Sequence, residues 1–246
     1  MKYLIQFLII ILTIPALAQQ VLLLSQQTVA KNQGDRDYCA YYSAAALIES
    51  ALKSLAQKDY DLSEDFEYLR NKKIYPWRPE VEFGDTYRVL QNIKKDGYVI
   101  SEDKKTKIIF SGLDVLELTQ LWVKTPWSLK VIEQIQKGHS VIATIKVSSR
   151  HVNDQTGLIT FNETIDQDCQ SGKIPCGGHA VLIVGYDSDK KLFAIKNSWG
   201  PGWGRQGFGV VSFEHVDKYA SDFMTAYFNK LYSPVVREEA IKLFAE

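Results

Sequence analysis

Two short segments of this 246-residue chain carry residue types that could do nucleophilic chemistry together. In the first, CGGHAVLIVGYDSDKKLFAIKNSWGPGWG, His179 stands at the head of an apolar run and Asn197 at the foot of a second one. Val181, Ile183 and Gly185 alternate with Leu182, Val184 and Tyr186, which predicts a strand buried on most of its surface. Residues 187–190 are polar turn material and residues 192–196 alternate as a partner strand. A hairpin of that register brings His179 and Asn197 to the same end, where the amide can orient the imidazole. The second segment, NQGDRDYCAYYSAAALIES, supplies a nucleophile. Cys39 sits where loop residues give way to a stripe of Ala44, Leu47, Ile48, Ala51, Leu52 and Leu55 at helical spacing. A thiol in the first turn of a helix feels the positive end of the macrodipole, and a cationic imidazole beside it would favour thiolate further. Gln33, six residues earlier, can offer an amide N–H to an oxyanion alongside the Cys39 N–H.

Gln33-Gly34 before a helix-opening Cys39, then GHAVLIVGY, then KNSWGPGWG, resemble the papain-like cysteine peptidases, in that family's order and over about residues 28–228. The resemblance implies an α+β fold of two lobes. A helical lobe (about 32–124) would face an antiparallel, β-barrel-like lobe (about 19–31 and 125–232) across an active-site cleft. It implies Cys39, His179, Asn197 and Gln33 as catalytic residues, with peptide bonds cleaved through a thioester. It also implies Trp199 shielding the His–Asn bond, Gly84, Gly178 and Trp203 touching substrate, and no cofactor. The chain departs from the family in three places: Ala40 replaces the usual Trp after the nucleophile, Arg36 replaces a disulfide cysteine, and EFG around Gly84 replaces a glycine-rich substrate segment. The last bears on substrate preference rather than on mechanism, while Ala40, together with Asp37, keeps a catalytically silent reading open.

The elements that must position these groups read as follows. Lys2, an apolar run over residues 3–14 and Ala16-Leu17-Ala18 form the pattern of a secretory signal peptide, residues 1–18, too short for a membrane span. The protein is therefore expected to be exported, secreted or periplasmic, with no stable span once the leader is removed. Only residues 19–31 then precede the Gln33 motif, so no inhibitory proregion of the family's kind is expected on that side. Residues 20–24 read as a strand. LSEDFEYLR reads as a helix capped by Ser63 with Phe66 and Leu69 inward. Gly84-Asp85 opens a helix with Tyr87, Leu90 and Ile93 on one face, and residues 113–123 read as another helix. Ser128 caps a helix carrying Leu129, Ile132 and Ile135, which Gly138 ends. Residues 141–147, 208–213 and 222–228 read as strands, and residues 233–246 as a helical tail.

Composition narrows the partners. Lys+Arg and Asp+Glu number 29 each, so no long-range field argues for nucleic acid or an anionic membrane. At 46% hydrophobic and 12% aromatic the chain can bury a sizeable core. Three cysteines are too few for a disulfide scaffold, and one free thiol plus one pair fits the count. Cys169 and Cys176 with His179 form a C-x6-C-x2-H spacing that matches no common zinc pattern, so a short disulfide is the reading in an exported loop. His139, His151 and His215 lack a paired amide and read as structural or surface. The glycines at 200, 202, 204 and 207 precede a strand rather than a helix, which excludes a phosphate cradle. A peptide or protein substrate is the expected partner. Two other readings stay open: a thiol amidase acting on cell-wall peptides, and a catalytically silent peptide-binding module.

Overall fold

The structure, a computed structural model, describes residues 19–74, 77, 84–99, 106–118, 125–229 and 236–240. Residues 1–18, where a leader is expected, and most of the segment between Ile74 and Gly84 lie outside the described residues. The first part of the chain holds β1 (Gln20–Leu22), α1 (Cys39–Ala56), α2 (Glu64–Ile74), α3 (Thr86–Asp96), β2 (Tyr98–Val99), β3 (Thr106–Phe110) and β4 (Leu113–Glu117). The second part holds α4 (Trp127–Gln136), β5 (Val141–Val147), β6 (Val152–Asn153), β7 (Leu158–Ile159), α5 (Glu163–Gln170), β8 (Gly177–Asp187), β9 (Leu192–Lys196), β10 (Phe208–Ser212), α6 (Phe213–Tyr219), β11 (Ala220–Phe228) and β12 (Val236–Ala240). Among the described residues no helix is long and apolar enough to cross a membrane.

A nine-stranded sheet runs in the order β4-β11-β5-β8-β9-β10-β7-β6, with β1 paired to β8. Every pairing is antiparallel except β10 with β7, so the sheet is mixed rather than wholly antiparallel. Strand β8 explains the arrangement, because its side chains alternate between two cores. Leu182 and Val184 join Leu47, Ile48 and Leu52 of α1 and Leu90 and Ile93 of α3. Val181 and Ile183 join Val131, Ile132 and Ile135 of α4 and Val216 of α6 on the other face. An unbroken apolar run is what a strand covered on both faces needs. The helical part and the sheet-rich part together make an α+β molecule of the two-lobe kind.

Local patterns misled in several places. Residues 113–123 were expected to be helical, but Leu113–Glu117 is the edge strand β4, with Val115 opposite Ala226 of β11. Leu113 and Val115 alternate with Asp114 and pack on the α1 core, and the open edge of β11 supplies the ladder that overrides helix propensity. The tail was expected to be helical too. Instead Val236–Ala240 forms β12 against β3, completing a second sheet of order β12-β3-β2. Inward faces shift in part: Leu90, Ile93, Ile132 and Ile135 are buried as expected, but Leu69, Tyr87 and Leu129 are exposed, and Glu67, Val89 and Val131 are buried as well. Ser128 is not the cap of α4, whose N-cap is Pro126; its N–H and hydroxyl both donate to Asp217. Helices α5 and α6 escaped the sequence reading, although Asn162 and Ser212 cap them by accepting from Ile165 N–H and His215 N–H.

Candidate active site

Cys39 is the first residue of α1 and the only free cysteine. Its N-cap, Tyr38, contributes no side-chain acceptor, and the first turn holds no acidic residue, although Asp37 lies just before it and opposes a thiolate. Ala40 is buried beneath it, and Gly84 rests directly on this alanine. A Cβ at Gly84 would lie 2.7 Å from the Ala40 Cβ, and Gly84 has φ 78°, so both the small residue after the nucleophile and the glycine follow from one close contact. Strand β9 stops with Lys196 opposite Leu182, leaving the start of β8 with one open edge. There the Ala180 N–H meets the Cys39 thiol, which sets the nucleophile against the residue that follows His179.

His179 is buried, and its Nε2 lies 2.7 Å from Asn197 Oδ1. The same oxygen accepts from the Ser198 N–H at 2.8 Å, which fixes the amide orientation. Nε2 therefore carries the hydrogen, and Nδ1 is the nitrogen left to exchange a proton. The Asn197 backbone is itself held, its N–H donating to Gly207 O at 2.9 Å. Gly207 has φ 87° and passes so near Ala30 that a Cβ would come within 2.1 Å of the alanine Cβ. Trp199 stacks on the His179 ring, centroids 4.5 Å apart. Trp203 stands edge-on to Trp199 at 5.3 Å and donates its indole N–H to Asp154. It is nearly buried, which leaves this expected substrate residue little surface to offer.

Gln33 is tied to the Asn197 strand through a two-bond ladder: Gln33 N–H donates to Ser198 O at 2.8 Å, and Gly200 N–H to Lys31 O at 3.0 Å. Its side-chain oxygen accepts from the Ser198 hydroxyl, and its Nε2 donates to Arg36 O at 2.6 Å. One N–H of that amide remains for an oxyanion. Ser198 and Arg36 were not singled out as site residues from sequence, because their roles are contacts made across the fold.

Burial governs the charges here. It pushes the Cys39 thiol up, against the backbone amides of Ala180, Ala40 and Cys39 itself, while Asp37 adds to the rise. It pulls His179 down to about 4, against the Asn197 bond that favours imidazolium. Each charge alone is thus disfavoured. Moving the thiol proton onto the ring would create both at once, and their mutual attraction would then offset part of the desolvation.

Beneath Asn197 lies a second polar cluster that the sequence reading passed over. Lys31 Nζ bonds Glu49, Glu64 and the Leu62 carbonyl, and Glu49 also accepts from Thr28 and the Leu62 N–H. Lys196, the residue before Asn197, donates to Thr28. Burial raises Glu64 to about 7 and lowers Lys196 to about 8. The cluster joins the segment before Gln33 to α1, α2 and β9.

The remaining expected residues fall on the rim. Gly178 is exposed beside a cavity of about 550 Å³ that also takes in Thr144, Ile145, Tyr219 and Ser221. Cys169 and Cys176 are joined as a disulfide, Cα atoms 5.7 Å apart, binding α5 to the start of β8. His215 is buried and donates from Nε2 to Lys146 O, and His139 stacks on Tyr227, so both serve the framework.

Comparison with known proteins bears on the same arrangement. The family described as "Papain family cysteine protease" matches residues 84–224, a span that contains His179 and Asn197. Cathepsin K of Mus musculus is 41% identical over 197 residues, 75% of this chain and 56% of that protein. A viral cathepsin of Cydia pomonella granulosis virus is 26% identical over 202 residues, 81% of this chain and 57% of that protein. The chain thus spans just over half the length of these two relatives. Among solved structures, xylellain, a cysteine protease from Xylella fastidiosa, superposes with TM-score 0.67 at 19% identity over 87% of each chain. The Carica candamarcensis cysteine protease CMS1MS2, solved in complex with E-64, gives 0.64 at 20% identity over 86% of this chain and 99% of that one. With the matched segment covering more than half of its residues, the chain belongs to the papain family of cysteine proteases.

Proposed function

We infer that this chain is an exported cysteine peptidase that hydrolyses peptide bonds through Cys39, His179 and Asn197. The observation that carries the reading is the His179–Asn197 bond with the Cys39 thiol placed at the Ala180 amide beside it. Cys39 Sγ gives its proton to His179 Nδ1 and attacks the substrate carbonyl carbon. The resulting oxyanion is held by the Cys39 N–H and the spare Gln33 N–H. His179 Nδ1 then protonates the leaving amine, which departs and leaves a thioester on Sγ. Water attacks the thioester as Nδ1 takes its proton, and the acid leaves with Sγ restored. Asn197 keeps the ring in the one tautomer that allows both transfers. Gly178 and the cavity beside it supply the surface for a substrate side chain, and Gly84 the backbone contact across the cleft. Export rests on the leader pattern of residues 1–18. A helical lobe of about 32–124 and a β lobe of about 19–31 and 125–232 remain the working division, with β4 of the first range lying in the sheet of the second.

Turnover of an unstructured protein, followed by mass spectrometry with Cys39→Ala as control, tests the assignment. Fragments from the wild type, absent with Cys39→Ala and abolished by E-64, are expected. Release of amines from cell-wall material without cleavage of protein would replace it with an amidase. Binding without turnover of either would leave a silent peptide-binding module.

A further inference from the structure

Arg36 stands where the resemblance leads one to expect a disulfide cysteine, and its contacts have a pattern of their own. Its Nε donates to Gln33 O at 3.3 Å, while Gln33 Nε2 donates back to Arg36 O at 2.6 Å. One Nη pairs with Asp65 in the first turn of α2, and the other donates to Tyr42 Oη at 3.2 Å. Tyr42 in turn donates to Asn32 O at 3.2 Å. The guanidinium lies over the ring of Tyr38, the N-cap of α1, at 4.7 Å, and that ring stacks on Tyr68 of α2 at 4.3 Å. One planar cation thus touches the residue that holds the oxyanion donor, the cap of the nucleophile's helix, and the neighbouring helix.

We propose that Arg36 is a positioning residue, an ionic clamp that sets the Gln33 amide and the Cys39 turn in their working geometry where a covalent link is missing. This rests on the peptidase reading of the same site. The Arg36–Asp65 pair is half exposed, so as an isolated surface pair it adds little to stability. Its effect lies in geometry: a planar fork can hold several acceptors in fixed directions, which a lysine cannot. An oxyanion donor displaced by a fraction of an ångström loses strength in the transition state more than in the ground state. The clamp should therefore act on kcat rather than KM, and should weaken with salt, because the pair is solvent-accessible.

Peptide hydrolysis is measured for wild type, Arg36→Ala, Arg36→Lys, Asp65→Asn, Gln33→Ala and the Gln33→Ala/Arg36→Ala pair, at low and high salt. Arg36→Ala and Asp65→Asn should lower kcat about tenfold with KM within about twofold, and Arg36→Lys should recover only part. Wild-type kcat should fall with salt toward the Arg36→Ala value, and Arg36→Ala should cost clearly less once Gln33 is gone, leaving only the part that acts through Tyr38 and the Cys39 turn. An unchanged kcat in Arg36→Ala, or the same loss with Gln33 absent, overturns the clamp. A spectroscopic arm needs no turnover: the Gln33 side-chain amide, assigned by its loss in Gln33→Ala, is followed in ¹⁵N spectra. It should shift or broaden in Arg36→Ala and Asp65→Asn while the Trp203 indole signal stays in place, and an unmoved Gln33 signal also overturns the proposal. A wild type without turnover but with a clamped Gln33 would count against the peptidase reading alone.

Discussion

At the scale of single residues, the site depends on one oxygen. Asn197 Oδ1 accepts from both His179 Nε2 and the Ser198 N–H, so it sets the tautomer and the tilt of the ring together. Replacing Asn197 by Ala should lower kcat on the order of 10²-fold with KM little changed, read from steady-state kinetics, because the ring then samples orientations that miss the leaving amine. A larger effect on KM than on kcat would place Asn197 in substrate binding instead. The four side chains proposed for this chemistry stood out in the sequence because their types and spacing are unusual: a cysteine at a helix start, a glutamine shortly before it, a histidine and an asparagine at matching ends of a hairpin. The groups that surround them were not legible. The Ala180 amide, the Ser198 hydroxyl and the Arg36 carbonyl carry no signal in residue type, since their part is to be in a particular place.

Among the elements, the buried charges around Lys31 hold the pieces in register. Glu49 is 1% exposed and accepts from Lys31, Thr28 and the Leu62 N–H, so it joins the segment before Gln33 to α1 and to the chain entering α2. Glu49→Ala leaves Lys31 short of a partner and the Leu62 N–H unmet. It should cost about 3–5 kcal/mol in urea unfolding, against little for the exposed Glu133→Ala. Equal small losses would mean that the cluster is solvated in solution. The strands of the central hairpin and the helix after Cys39 could be read locally, because each buries an apolar stripe of its own period. Within the helices expected over 113–123 and in the tail, the described stretches Leu113–Glu117 and Val236–Ala240 are strands for a shared reason, and residues 119–123, 233–235 and 241–246 lie outside the described residues. Each lies against an open sheet edge, and unpaired backbone groups there outweigh weak helix propensity.

Across the whole molecule, two buried groups give stability opposite dependences on pH. The unfolded chain protonates His179 near 6.5 and the folded one only near 4, so this contribution is present above 6.5 and lost as pH falls to 4, on the order of 3 kcal/mol. Glu64 is raised to about 7, so its contribution is present below 4.5 and lost as pH rises to 7. The two slopes oppose one another between 4.5 and 6.5, and the wild-type curve should be flat there. Glu64→Gln should expose the loss on acidification, and His179→Ala the loss on alkalinisation, both measured by denaturant unfolding against pH. Parallel curves for the three proteins would contradict the burial assigned to these groups. Both groups belong to the same joint between α1 and the β8–β9 hairpin, where the chemistry is placed. The most direct test of that chemistry is the rate at which Cys39, the single free thiol, is alkylated at pH 5.5, mapped by mass spectrometry with the disulfide intact. If Cys39 and His179 share a proton as an ion pair, labelling will be far faster than for a free thiol and will drop sharply in His179→Ala. A Cys39 that reacts no faster than a free thiol, and equally in both proteins, would contradict the triad.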